Sequence, residues 1–170
     1  MKISAKKIAL IGVFTALSLI IFIVEAQFPT SGIGGIKLGL ANVATMAAML
    51  FIGRREAGIV LCLRIILAAA FYGTFVSFLF SLVGGTFAYL VMCLLMCRFD
   101  KKQIWVVSAF GGVFHNVGQL IAAGFISGTS MVITLFPYLL ISGIVTGVLT
   151  GLITQRLWFS SLRKYSLRKE

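Results

Sequence analysis

The sequence is poor in acid. Its 170 residues include four carboxylate side chains, Glu25, Glu56, Asp100 and Glu170, of which one is an aspartate. Hard cations such as magnesium need several carboxylate oxygens. The Asp-rich metal–diphosphate motif of a prenyl-diphosphate synthase therefore has no residues to build it. Histidine is scarcer: His115 stands alone, and one imidazole with no carboxylate or thiolate nearby offers too few ligands for a metal. The three cysteines, Cys62, Cys93 and Cys97, form no CxxC pair and lie in apolar runs, where they read as helix-packing residues. Walker A, GxSxG, HExxH and paired-acid patterns are all missing. The chain is expected to hydrolyse no ATP, to hold no metal or cofactor, and to be no enzyme by itself.

Charge of either sign is sparse. Charged residues make up 11% of the chain and hydrophobic ones 60%, with a mean hydropathy of +1.10. A soluble domain is roughly a quarter charged, so these residues cannot supply a polar surface. An integral membrane protein of one domain is expected. The first apolar run, Ile8–Val24, exceeds a signal-peptide core of about 7–15 residues and reads as a span.

What is present is a series of apolar segments broken at FPTSGIGG, GRRE, YGT, CRFDKK, SGTS and the tail RLWFSSLRKYSLRKE. A crossing needs about 20 apolar residues, fewer if short or re-entrant. The pattern predicts an all-α bundle of six transmembrane helices, at 7–27, 38–52, 57–72, 75–97, 104–126 and 132–156, the second and third short. Lysines and arginines alternate with these segments. Lys2, Lys6 and Lys7 precede the first; Arg54 and Arg55 follow the second; Arg98, Lys101 and Lys102 follow the fourth; Arg156, Arg163, Lys164, Arg168 and Lys169 follow the sixth. Opposite loops carry Lys37 alone. Basic residues concentrate in cytoplasmic loops, so both termini are expected inside a bacterial cytoplasmic membrane. The net charge of +11 then belongs to the membrane face. Nucleic-acid binding is not expected, because no basic patch is interleaved with exposed aromatics.

Ionisable groups within a bilayer are costly and mark function by default. Four qualify: Glu25 near the outer end of the first span, Lys37 opening the second, Arg64 half-way along the third, and His115 in the fifth. His115 and Gln119 are one helical turn apart and share a face, with Asn116 turned about 100° away. Two readings stand for this trio: an interhelical hydrogen-bond network, or the polar floor of a ligand cavity. Gly111 and Gly118 would let a neighbouring helix come close. Arg64 either snorkels or joins a structural ion pair, or anchors an anion. Lys37, Asn42 and Tyr72 are candidates for the outer wall, and Glu25 could pair with Lys37 across the mouth. In the first span Ala5, Ala9, Gly12 and Ala16 form a stripe of small residues. It serves either packing within the bundle or docking of a partner.

The runs GGIKLGLANVATMAAMLFIGRREAGIVLCLRIILAAAFYGT, SLVGGTFAYLVM and HNVGQL resemble the Gx transporter family, also called heptaprenyl diphosphate synthase component I. The likeness covers roughly residues 8–150 and is most specific at KLGLAN and HNVGQL. The family is similar to the S components of energy-coupling factor (ECF) transporters, six-helix proteins that capture vitamins outside and pass them inward with a T subunit and two ATPases. The resemblance implies that Ala5, Ala9, Gly12 and Ala16 face a T subunit. It also implies a site that opens outward between the loops and outer helix halves, for a vitamin or cofactor. The residues themselves suggest an amphipathic molecule with an anionic or carbonyl-rich head, such as a flavin, contacted by Lys37, Asn42, Arg64, Tyr72, His115, Asn116 and Gln119. The other expectation is a non-catalytic accessory subunit for prenyl diphosphate or quinone synthesis.

Overall fold

The computed structural model describes residues 4–27, 37–72, 74–127 and 129–166, with the side chains at 72, 127, 129–134 and 162–166 outside that description. Six α-helices follow one another: α1 (Ala5–Ala26), α2 (Asn42–Phe51), α3 (Arg54–Tyr72), α4 (Phe75–Leu95), α5 (Ile104–Ser127) and α6 (Thr129–Ser166), with a single 3-10 turn at Lys101–Gln103 before α5. Among the described residues there is no strand.

Local signals account for the boundaries. Ser4 caps α1 and Thr74 caps α4, each side-chain oxygen accepting a backbone N–H three residues on. The expected second span, 38–52, is helical over Asn42–Phe51 alone. Gly39 has φ +82°, a left-handed conformation that glycine adopts freely and that a helix cannot continue through. At the other end Gly53, at φ +134°, closes α2 and donates to Ala48 O. Ten residues rise about 15 Å, half a bilayer. Such a lead-in is tolerated at depth where protein covers it, and α2 is buried along Ala44–Met49. The sixth element runs longer than 132–156, to 38 residues.

Among the described residues, four helices, those containing Ala5–Ala26, Phe75–Leu95, Lys101–Ile126 and Leu135–Ser161, are long and apolar enough to cross a membrane. Large apolar side chains face outward along them, including Ile8, Ile20, Leu90, Leu94, Ile141 and Leu149. A protein with such an exterior is at home in lipid, not water.

Helices α4, α5 and α6 form the tightest part of the bundle. A Cβ on Gly112 would collide with the Gly143 carbonyl; one on Gly147 would sit 2.6 Å from Ser108 O, and one on Gly151 2.5 Å from Trp105 Cα. Gly143, Gly147 and Gly151 thus form a GxxxGxxxG seam that admits the α5 backbone. Gly118 fits against Gly84, and Gly111 against Met92, as their spacing suggests. One end of the bundle is basic. There Lys7 Nζ meets Glu56 Oε1 at 2.6 Å, joining α1 to α3, and Lys101 Nζ lies 4.5 Å from the Trp158 ring centroid.

Candidate functional site

About 15 Å further along α3, ten residues from Arg54, the bundle encloses charge. Phe22 and Glu25 of α1, the segment Lys37–Gly39, Arg64 of α3, Ser81 of α4, and His115 and Gln119 of α5 surround one cavity. Its open space is about 10 Å³, room for about one water.

Gln119 makes a reciprocal pair with the backbone of Lys37: Lys37 N–H donates to Gln119 Oε1 at 2.9 Å, and Gln119 Nε2 donates to Lys37 O at 2.7 Å. The side chain stands in for a neighbouring strand, satisfying a non-helical backbone that no helix partner could reach. Asn116 points elsewhere. Its Nδ2 donates to Leu139 O at 2.6 Å and to Ser142 Oγ at 3.1 Å, tying α5 to α6. Thr146 Oγ1 lies 3.1 Å from Leu38 O, so α6 also steadies the segment. Glu25 Oε1 accepts the Gly39 N–H at 2.6 Å, and Ser18 Oγ donates to Ala41 O. Side chains from α1, α5 and α6 thus hold the approach to α2, together with backbone bonds from Asn42, Val43 and Ala44 to Gly39, Leu40 and Ala41.

His115 is 3% exposed. Its ring lies between two glycines: a Cβ on Gly39 would stand 2.7 Å from its Cδ2, and one on Gly84 3.1 Å from its Cε1. Nδ1 has no partner among the described residues. Arg64 is 2% exposed and does not snorkel; its Nε and Nη2 are likewise unpartnered. Lys37 Nζ donates to Ser77 Oγ at 3.2 Å and sits 3.2 Å from the Phe22 ring centroid, a cation–π geometry.

The expected pairing of Glu25 with Lys37 across the mouth is not formed: the carboxylate accepts the Gly39 amide instead, and among the described residues the ion pair is Lys7–Glu56. The cavity therefore has two cations, Lys37 and Arg64, facing one carboxylate. Unpaired buried charge is expensive, and the excess is positive.

Of the seven residues that the sequence nominates, Lys37, Arg64, His115 and Gln119 line this cavity. Asn42 lies beside Gly39 with Nδ2 unpartnered, and Asn116 serves the α5–α6 contact. Tyr72 ends α3, and its side chain lies outside the described residues. Sequence reasoning passed over Phe22 and Ser81, which carry no signal beyond helix composition, and Gly39, whose place in KLGLAN was the available clue.

The stripe of small residues in α1 is exposed. Ala5, Ala9, Gly12 and Ala16 all face outward, with nothing within 4 Å of a Cβ on Gly12. Among the described residues, nothing packs against the Gly12 position.

The model of one family, heptaprenyl diphosphate synthase component I, matches residues 14–157. No curated protein matches the chain, and no solved structure does.

Proposed function

The chain belongs to the heptaprenyl diphosphate synthase component I family, and we propose that it acts as a non-catalytic, substrate-binding membrane subunit for a small anionic molecule. One observation carries this reading. A buried guanidinium, Arg64, has two N–H-bearing nitrogens without partners among the described residues and faces a cavity that also holds Lys37 and His115. An anionic head such as a carboxylate or phosphate would supply the missing acceptors, and charge-assisted bonds are the strong ones. Neutral imidazole could add one more donor or acceptor.

With room for about one water, the cavity as folded takes no flavin-sized body. Ligand entry on this reading parts Lys37 from Gln119, which are joined by two hydrogen bonds. The positive-inside pattern would put the basic end in the cytoplasm and this cavity toward the outside, as uptake requires. The outward-facing Ala5–Ala16 stripe supports docking to an ECF T subunit, with ATPases supplying energy that this chain has no motif to generate.

A second reading is favoured by the family's name: an accessory membrane subunit beside a prenyl diphosphate synthase. Tagged protein purified from native membranes separates the two. Recovery of a T subunit with ATPases supports the first; recovery of a soluble prenyl synthase without them supports the second and overturns the first.

A further inference from the structure

The basic end of the bundle contains a second, much larger space. A cavity of about 510 Å³ lies between the end of α2, the start of α3, the end of α4 and the start of α5. Its size is that of small-molecule sites, roughly 300–1,000 Å³. Its floor is apolar and adaptable: Met49, Met96, Ile104 and Val107 line it and join the hydrophobic cluster at that end. Methionine repacks readily around a flexible chain.

The mouth is cationic. Arg54 and Lys101 line the cavity with Asp100 as the single carboxylate among the lining residues. Arg54 Nη1 reaches Cys97 Sγ at 2.9 Å, and sulfur is a weak acceptor, so most of the guanidinium fork is uncommitted. Arg55, Arg98 and Lys102 are exposed nearby in the chain. The other acid at this end, Glu56, is already matched by Lys7, which holds its carboxyl below the usual range. Apolar depth under a positive rim fits an amphiphile with an anionic head.

We propose that this cavity binds a phosphate-headed amphiphile, the phosphate between Arg54 and Lys101 and the hydrocarbon tail against Met49, Met96, Ile104 and Val107. Basic pockets between membrane helices recognise phosphate headgroups in this manner. The head could belong to a bilayer phospholipid or to a free prenyl phosphate. The proposal goes beyond the Arg64 reading and shares no residue with it.

Trp158, whose ring lies beside Lys101, gives a reporter once Trp105→Phe removes the other tryptophan. In nonionic detergent, emission is followed while adding farnesyl diphosphate, phosphatidic acid in mixed micelles, or inorganic diphosphate. Saturable change with either amphiphile, at concentrations at least about tenfold below those inorganic diphosphate needs, supports the proposal, and the better of the two names the source. The double variant Arg54→Gln/Lys101→Gln should weaken binding at least about tenfold, since each lost partner is a charged one. Val107→Phe, which fills the floor, should weaken the amphiphile and leave inorganic diphosphate unchanged. Arg54 and Lys101 are exposed, so their replacement should leave the melting temperature within a few degrees. Titrations unchanged in both variants, or no saturable signal with either amphiphile, overturn the proposal.

Discussion

Replacing Gln119 by Ala isolates what holds the approach to α2. The substitution leaves the Lys37 N–H and C=O without the partners they have at 2.9 and 2.7 Å, in a setting where Gln119 is 1% exposed. An orphaned buried backbone group costs about 1–3 kcal/mol. Two give about 2–6 kcal/mol, less whatever water recovers by entering the enlarged cavity. Gln119→Glu, when ionised, keeps an acceptor for the amide but sets an oxygen against the Lys37 carbonyl. It should also destabilise, while partly retaining the Lys37 amide bond. Reversible unfolding in mixed micelles gives the free energies, and hydrogen exchange at Lys37 and Gly39 reports the segment directly. The reasoning is refuted if Gln119→Ala costs under about 0.5 kcal/mol while the Lys37 amide stays protected.

Other substitutions probe separate links. Gly147→Leu forces carbon into Ser108 O and Ala109 Cα, 2.6 and 2.7 Å from the first added atom. Overpacking of this kind costs about 1–3 kcal/mol or more, readable by the same unfolding assay; a neutral result would deny the close α5–α6 seam. Gly12→Leu adds bulk where nothing lies within 4 Å; stability should change by less than about 0.5 kcal/mol, while co-purification of a T subunit should disappear.

The helical membrane class was legible because 60% apolar residues leave no other solvent for the chain. Its breaks were legible because glycine and charge punctuate it. The depth at which α2 begins was not, since hydropathy is blind to the positive φ of Gly39 that delays the helix to Asn42. The run His115, Asn116 and Gln119 announced a polar site, yet its members divide the work. Gln119 binds backbone 82 residues away, Asn116 binds α6, and His115 lines the cavity with Nδ1 unpartnered among the described residues. Helical spacing fixes which residues share a face, not which distant segment that face will meet. Arg64 shows the same limit. Its long stem permitted snorkelling as readily as burial, and only packing against Phe22, with the guanidinium carbon 5.9 Å from the ring centroid, decides it. The seam of Gly143, Gly147 and Gly151 was readable from its four-residue repeat and was passed over.

If Arg64 serves a ligand rather than the fold, Arg64→Gln should separate binding from stability. Removing a buried guanidinium that has no partner for Nε or Nη2 should leave stability unchanged or raised, because the desolvation cost goes with it. Mass spectrometry of small molecules released from purified wild-type protein and from the variant then reads the function. An anionic compound should be released by the wild type and lost from Arg64→Gln, with the variant folded. Equal release from both proteins, or no anionic compound from either, would contradict a ligand role for Arg64.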